Sequence, residues 1–168
     1  MLTLICQIIH PKIKIDPSNY FPDSQIFWDN LVKVGSSHLI LPSIYQGIIK
    51  KKLVDYVPND LMDFLFNIYT LNYERNNAII NQINFIVQIF NKNKIDYVLL
   101  KGAAILFSEI KNHKKERMVG DIDILVKKKD VHRAQNILLE NGYYVKSNNE
   151  INYIENRINY HRHLDKLI

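Results

Sequence analysis

Apolar residues recur at helical spacing through the first half of the chain. In the segment HLILPSIYQGIIK (38–50), Ile40, Ile44 and Ile48 fall at i, i+4 and i+8, with Pro42 in the first turn and Ser36 or Ser37 as the N-cap. Pro58-Asn59-Asp60 opens a second helical pattern, with Leu61, Phe64, Leu65, Ile68 and Leu71 on one stripe. A third runs from about Asn76 to Asn91, with Ile79, Ile83, Ile86 and Phe90 inward, and residues 23–34, carrying Trp28, form a further helix. Such stripes must be buried against one another, so residues 1–92 are expected to be an all-helical region.

The period changes after Asn93. Residues 95–100 (IDYVLL) are an apolar run of strand length that ends at Lys101-Gly102, and residues 103–110 follow as helix. A polar, basic stretch (111–116) precedes Arg117-Met118-Val119-Gly120, which leads into a second strand, Asp121-Ile122-Asp123-Ile124-Leu125-Val126. Asp130 is the N-cap of a helix reaching about Asn141, Gly142 supplies its left-handed stop, and Tyr143-Tyr144-Val145 is a third short strand. The order β-α-β-α-β predicts an α+β protein, with helices over 1–92 and a sheet core over 93–168. The Asn-rich residues 148–160 suggest no element.

Composition narrows the class. At 168 residues, 47% hydrophobic and 23% charged, the chain is that of an ordinary globular protein, which excludes wholesale disorder. The lone Cys6 excludes an internal disulfide framework and is expected to be a small buried apolar group. No apolar run approaches the ~20 residues that span a bilayer. The apolar opening, residues 1–9, lacks the charged start and small-residue cleavage site of a signal peptide, so a cytoplasmic protein without a membrane partner is expected. The net charge of +5 favours anionic partners. Its clusters, Lys50-Lys51-Lys52, residues 111–117 and Lys127-Lys128-Lys129, sit where elements end and read equally as solvated termini.

Asp121 and Asp123 carry the sharpest chemical signal. Strand alternation places both on one face while Ile122 and Ile124 point into the core. Two carboxylates that close repel unless a positive group lies between them, and Mg²⁺, which takes carboxylate, phosphate and water oxygens, is well suited to the task. Gly102 stands between strand and helix, where backbone can approach a phosphate, with Lys101 beside it as a point charge. Arg117, four residues before Asp121, can grip a phosphate with two hydrogen bonds. Each residue alone also has a structural reading: a surface strand pair, a tight turn, a solvated loop arginine.

Together, Leu99-Leu100-Lys101-Gly102-Ala103-Ala104, the run from Arg117 through Gly120, Asp121 and Asp123 to Val126, and Glu140-Asn141-Gly142-Tyr143 resemble the uncharacterised nucleotidyltransferase family of the polymerase-beta-like superfamily. The resemblance covers about residues 95–146, and the segment 38–53 is similar to the helices that precede the family's core. It implies a mixed-sheet nucleotidyltransferase core, NMP transfer from an NTP to an unknown acceptor, and Mg²⁺ (or Mn²⁺) held by Asp121 and Asp123 as catalytic carboxylates. It also implies phosphate contacts at Lys101, Gly102, Ala103, Arg117 and Gly120. Gly102-Ala103 departs from the superfamily's usual Gly-Ser or Gly-Gly, so no hydroxyl assists there. The third carboxylate expected after a segment like His161-Arg162-His163-Leu164 has no match, because Glu150, Glu155 and Asp165 lack its apolar–acid–apolar setting. The expectation is that the chain stops before that acid. An alternative is therefore a degenerate or truncated domain serving as an antitoxin-like adaptor. A zinc site on His161 and His163 lacks further ligands, and a glycosyltransferase reading of Asp-x-Asp would need a βαβ half before it, where helices are expected instead.

Overall fold

The computed structural model describes residues 1–17, 21–108 and 113–144. These form two compact units: Met1–Ile79 with Ser108–Gly120, and Ile80–Phe107 with the chain from Asp121 onward. The whole is a helix-rich α+β protein with one small sheet among the described residues.

The first unit contains helices α1 (Leu2–Ile9), α2 (Gln25–Ser37), α3 (Leu41–Lys50), the first part of α4 (Asn59–Lys92) and the short α6 (His113–Glu116). Leu4, Ile5 and Ile8 of α1 are buried with Leu31, Ile44, Ile48 and Leu65 in one apolar core. Helix α1 was not legible as a helix in the sequence, and it is held by close packing: a Cβ on Gly47 would sit 2.5 Å from the Ile8 carbonyl oxygen. Cys6, expected to be buried, is exposed, because it lies off the stripe formed by Leu4, Ile5 and Ile8. Ser36 and Ser37, expected to cap α3, belong to α2, and Ile40 occupies the α3 N-cap. The reason is a left-handed Leu39 (φ 56°), which lets the Ile40 N–H bond the Gly35 carbonyl at 2.9 Å and closes α2 before α3 starts.

The two helices expected over 59–71 and 76–91 are one continuous α4 of 34 residues. No Gly or Pro interrupts them. The buried stripe runs Leu61, Leu65, Asn72, Asn76, Ile79, Ile83, Ile86 and Phe90, with two asparagines filling positions between its apolar ends. Phe64 and Leu71, expected on that stripe, are 41% and 61% exposed; true 3–4 spacing carries the seam past them to Asn72.

In the second unit, β1 (Tyr97–Leu99) pairs antiparallel with β2 (Ile124–Val126) in the register Tyr97–Val126, Val98–Leu125, Leu99–Ile124. Helix α5 (Lys101–Phe107) follows β1, and α7 (Val131–Glu140) follows β2 through a 3₁₀ turn at Lys128–Asp130. Ile86, Ile89, Phe90, Ile95, Ala134, Ile137 and Leu138 form its core, with Tyr97, Ile122, Ile124, Val126 and Tyr143 packed against them. The expected strand over 121–126 is confined to its last three residues, and the helix expected over 103–110 starts at Lys101. Asp130 holds the N-cap position of α7 without a side-chain bond, whereas Gly142 stops that helix at φ 93° as expected. Tyr143 and Tyr144 are in no strand; Val145, the rest of that predicted strand, lies outside the described residues.

Candidate functional site

The turn from β1 into α5 is built by backbone first. Leu100 N–H donates to the Asp123 carbonyl at 2.9 Å, which carries the β1–β2 register one residue further. The chain then reverses at Lys101, whose φ of 48° is left-handed, a conformation that costs a non-glycine residue about 1–2 kcal/mol. The reversal delivers buried Gly102 and Ala103 into the first turn of α5. Lys101 Nζ lies 3.3 Å from both carboxylate oxygens of Asp123. Its own side chain is 58% exposed and that of Asp123 15%, so the ammonium covers the acid from the solvent side.

Ile122, just ahead of β2, and Ile124 pack on the core, as expected; Val126 joins them, and alternation along β2 leaves Leu125 and its cross-strand partner Val98 each 56% exposed. Asp121 and Asp123 lie just ahead of β2: Asp121 is exposed, and the Asp123 side chain is 15% exposed. These are hard oxygen donors of the kind Mg²⁺ takes, and two carboxylates completed by phosphate and water are a usual Mg²⁺ set. Among the described residues no group of three or more His, Cys, Asp or Glu converges. Glu150, Glu155, Asp165, His161 and His163 lie outside the described residues.

Arg117 and Gly120 belong to the first unit. Arg117 is exposed, as is Gly120, and a Cβ on Gly120 would meet nothing within 4 Å. Buried Val119 anchors the strand of chain between them. The backbone just ahead is gripped by side chains that sequence reading missed. Asn72 Nδ2 donates to the carbonyls of Lys115 (2.9 Å) and Arg117 (3.2 Å), and Asn76 Nδ2 to that of Arg117 (2.7 Å). Ser43 Oγ donates to the Glu116 carbonyl at 3.0 Å, and Lys50 pairs with the Glu116 carboxylate at 2.6 Å. The signal was present: the buried spacing of α4 runs straight through positions 72 and 76.

Several of the basic side chains among the described residues are already engaged. Besides Lys50, Lys51 donates to the carbonyls of His10 and Ile13, and the Lys115 ammonium sits 4.8 Å above the Tyr73 ring. Lys127 pairs with Asp96 directly across the β1–β2 ladder, which lowers the carboxyl and raises the ammonium from their ordinary values, chiefly by the hydrogen bond between them. Both are exposed, and such pairs add little to stability.

The uncharacterised nucleotidyltransferase family matches the chain over residues 24–166, from the start of α2 to beyond α7. The chain belongs to this family. Membership in the nucleotidyltransferases carries nucleotidyl transfer as the general chemistry and an NTP as the substrate class. No curated protein and no solved structure matches the chain. Among the described residues of this chain, no helix is long and apolar enough to cross a membrane.

Proposed function

We propose that the chain is a metal-dependent nucleotidyltransferase that moves an NMP from an NTP to an acceptor nucleophile. The observation that carries this reading is the hydrogen bond from Leu100 N–H to the Asp123 carbonyl, which fixes the Lys101-Gly102-Ala103 turn against an acidic strand end. In this reading Asp121 and Asp123 hold Mg²⁺ or Mn²⁺, which supplies charge neutralisation for the triphosphate. The exposed Lys101 head leaves Asp123 for a phosphate oxygen. Gly102 and Ala103 offer backbone to the phosphates, and Arg117 and Gly120 provide a second phosphate contact. The acceptor's nucleophilic atom bonds the α-phosphorus, the bond to the β-phosphate oxygen breaks, pyrophosphate leaves, and the acceptor's proton passes to solvent. The residues' share is positioning and charge stabilisation. The working compartment in this reading is the cytoplasm.

One observation favours the alternative, an adaptor domain that binds without transferring: Lys101 already satisfies the charge of Asp123 internally. Incubation with α-³²P-labelled NTPs, Mg²⁺ and candidate acceptors separates the two. The transferase reading expects label transfer and pyrophosphate release that vanish in Asp121→Asn/Asp123→Asn. NTP binding with no transfer to any acceptor class favours the adaptor.

A further inference from the structure

Helix α4 devotes two positions of its buried stripe, Asn72 (4% exposed) and Asn76 (0%), to polar side chains. Burying an amide in an apolar seam is unfavourable unless its hydrogens are used. Here both amide nitrogens are spent on one target, the carbonyls of Lys115 and Arg117. Ser43 holds the carbonyl between them and Lys50 the intervening carboxylate, so three successive residues are fixed from α3 and α4. The carbonyls that end a helix as short as α6 have no partner within it, so they need such anchors. What emerges from the anchored segment is the Arg117 side chain, exposed and, among the described residues, engaged in no hydrogen bond or ion pair. A clamped backbone bearing a free guanidinium is suited to grip an anion, because little side-chain and backbone freedom remains to be lost on binding.

We propose that Asn72 and Asn76 are positioning residues for Arg117, holding its backbone so that the guanidinium meets the phosphates of the incoming nucleoside triphosphate. This deepens the nucleotidyltransferase reading and rests on it. Neither asparagine touches the nucleotide; both act through the arginine.

A double-mutant cycle on the full chain tests this, with affinity for each of the four NTPs measured calorimetrically in Mg²⁺. Replacing both asparagines by leucine keeps the number and branching of the side-chain heavy atoms and removes the donors. In the native background this should weaken NTP binding about tenfold, equivalent to about 1.4 kcal/mol. In the Arg117→Ala background the same change should cost less than about twofold, because the group it positions is gone. Trypsin should cut the Arg117–Met118 bond faster in the leucine variant. If that variant does not fold, Asn72→Leu alone leaves the 2.7 Å Asn76 bond in place and should show the same pattern at about threefold. Equal losses in both backgrounds, or an unchanged cutting rate with NTP binding intact, overturn the positioning role alone. An absence of NTP binding by the native chain overturns the nucleotidyltransferase reading as well.

Discussion

Leu39, Lys52 and Lys94 hold left-handed backbone (φ 56°, 56° and 53°) just after α2, α3 and α4. Each is followed by a residue whose N–H reaches back five positions: Ile40 to Gly35, Leu53 to Ile48, Ile95 to Phe90. Gly142 makes the same cap after α7, with Tyr143 N–H on the Leu138 carbonyl. Only the glycine was legible in the sequence, because the other three sites are occupied by residues that do not announce a left-handed turn. Lys52→Gly should therefore raise stability by about 0.5–1 kcal/mol, the left-handed cost of ~1–2 kcal/mol less the entropy that glycine adds to the unfolded chain. A urea midpoint that moves up at constant slope checks this, and a fall would show that the Lys52 side chain contributes more than the strain removes. Tyr143 bears on alkaline stability. Burial pushes its hydroxyl above the ordinary value. The native state thus holds that proton more tightly, so the contribution is complete below the unfolded value of about 10 and is lost as pH rises beyond it. Tyr69 is raised by burial too, so the readout is a difference. Above about pH 10 the urea midpoint of the native chain should fall more steeply than that of Tyr143→Phe; parallel falls would contradict the assignment.

At the scale of elements, α4 sets the sharpest test of packing. Ile83 is fully buried and Leu71 is 61% exposed, although both looked apolar and inward in the sequence. Ile83→Ala should cost about 2–5 kcal/mol, whereas Leu71→Ala should stay within about 0.5 kcal/mol in the same denaturation assay. Comparable losses would mean the seam had been placed on the wrong face. Gly47→Ala should also be destabilising, since its new methyl would meet backbone at Ile8, while Gly120→Ala should leave stability unchanged because open space surrounds it. The stripes Ile44–Ile48 and Ile79–Phe90 were readable from period alone. The continuity of α4 was not, because Asn72 and Asn76 interrupt the apolar pattern without breaking the helix; local polarity looks like a boundary until the partners, carbonyls some 40 residues later, are known. The antiparallel sense of β1 and β2 was equally hidden, since alternation reports which face is buried and says nothing of strand direction.

For the molecule as a whole, the motif LKG, then Arg117 through Val126, was enough to indicate the family; the structure sets Lys101 against Asp123 and places Gly102 and Ala103 at the head of α5. What pattern could not supply is the internal ion pair, which depends on the left-handed turn at Lys101, and the polar anchoring of the segment before Gly120. The central claim is that Asp121 and Asp123 are the carboxylates through which a metal and a nucleoside triphosphate are bound together. Calorimetric titration of each NTP, with Mg²⁺ and with EDTA, into the native chain and into Asp121→Ala/Asp123→Ala tests it most directly. The account predicts Mg²⁺-dependent affinity in the native chain that collapses in the double variant while its thermal unfolding remains cooperative; affinity that survives the loss of both carboxylates would contradict it.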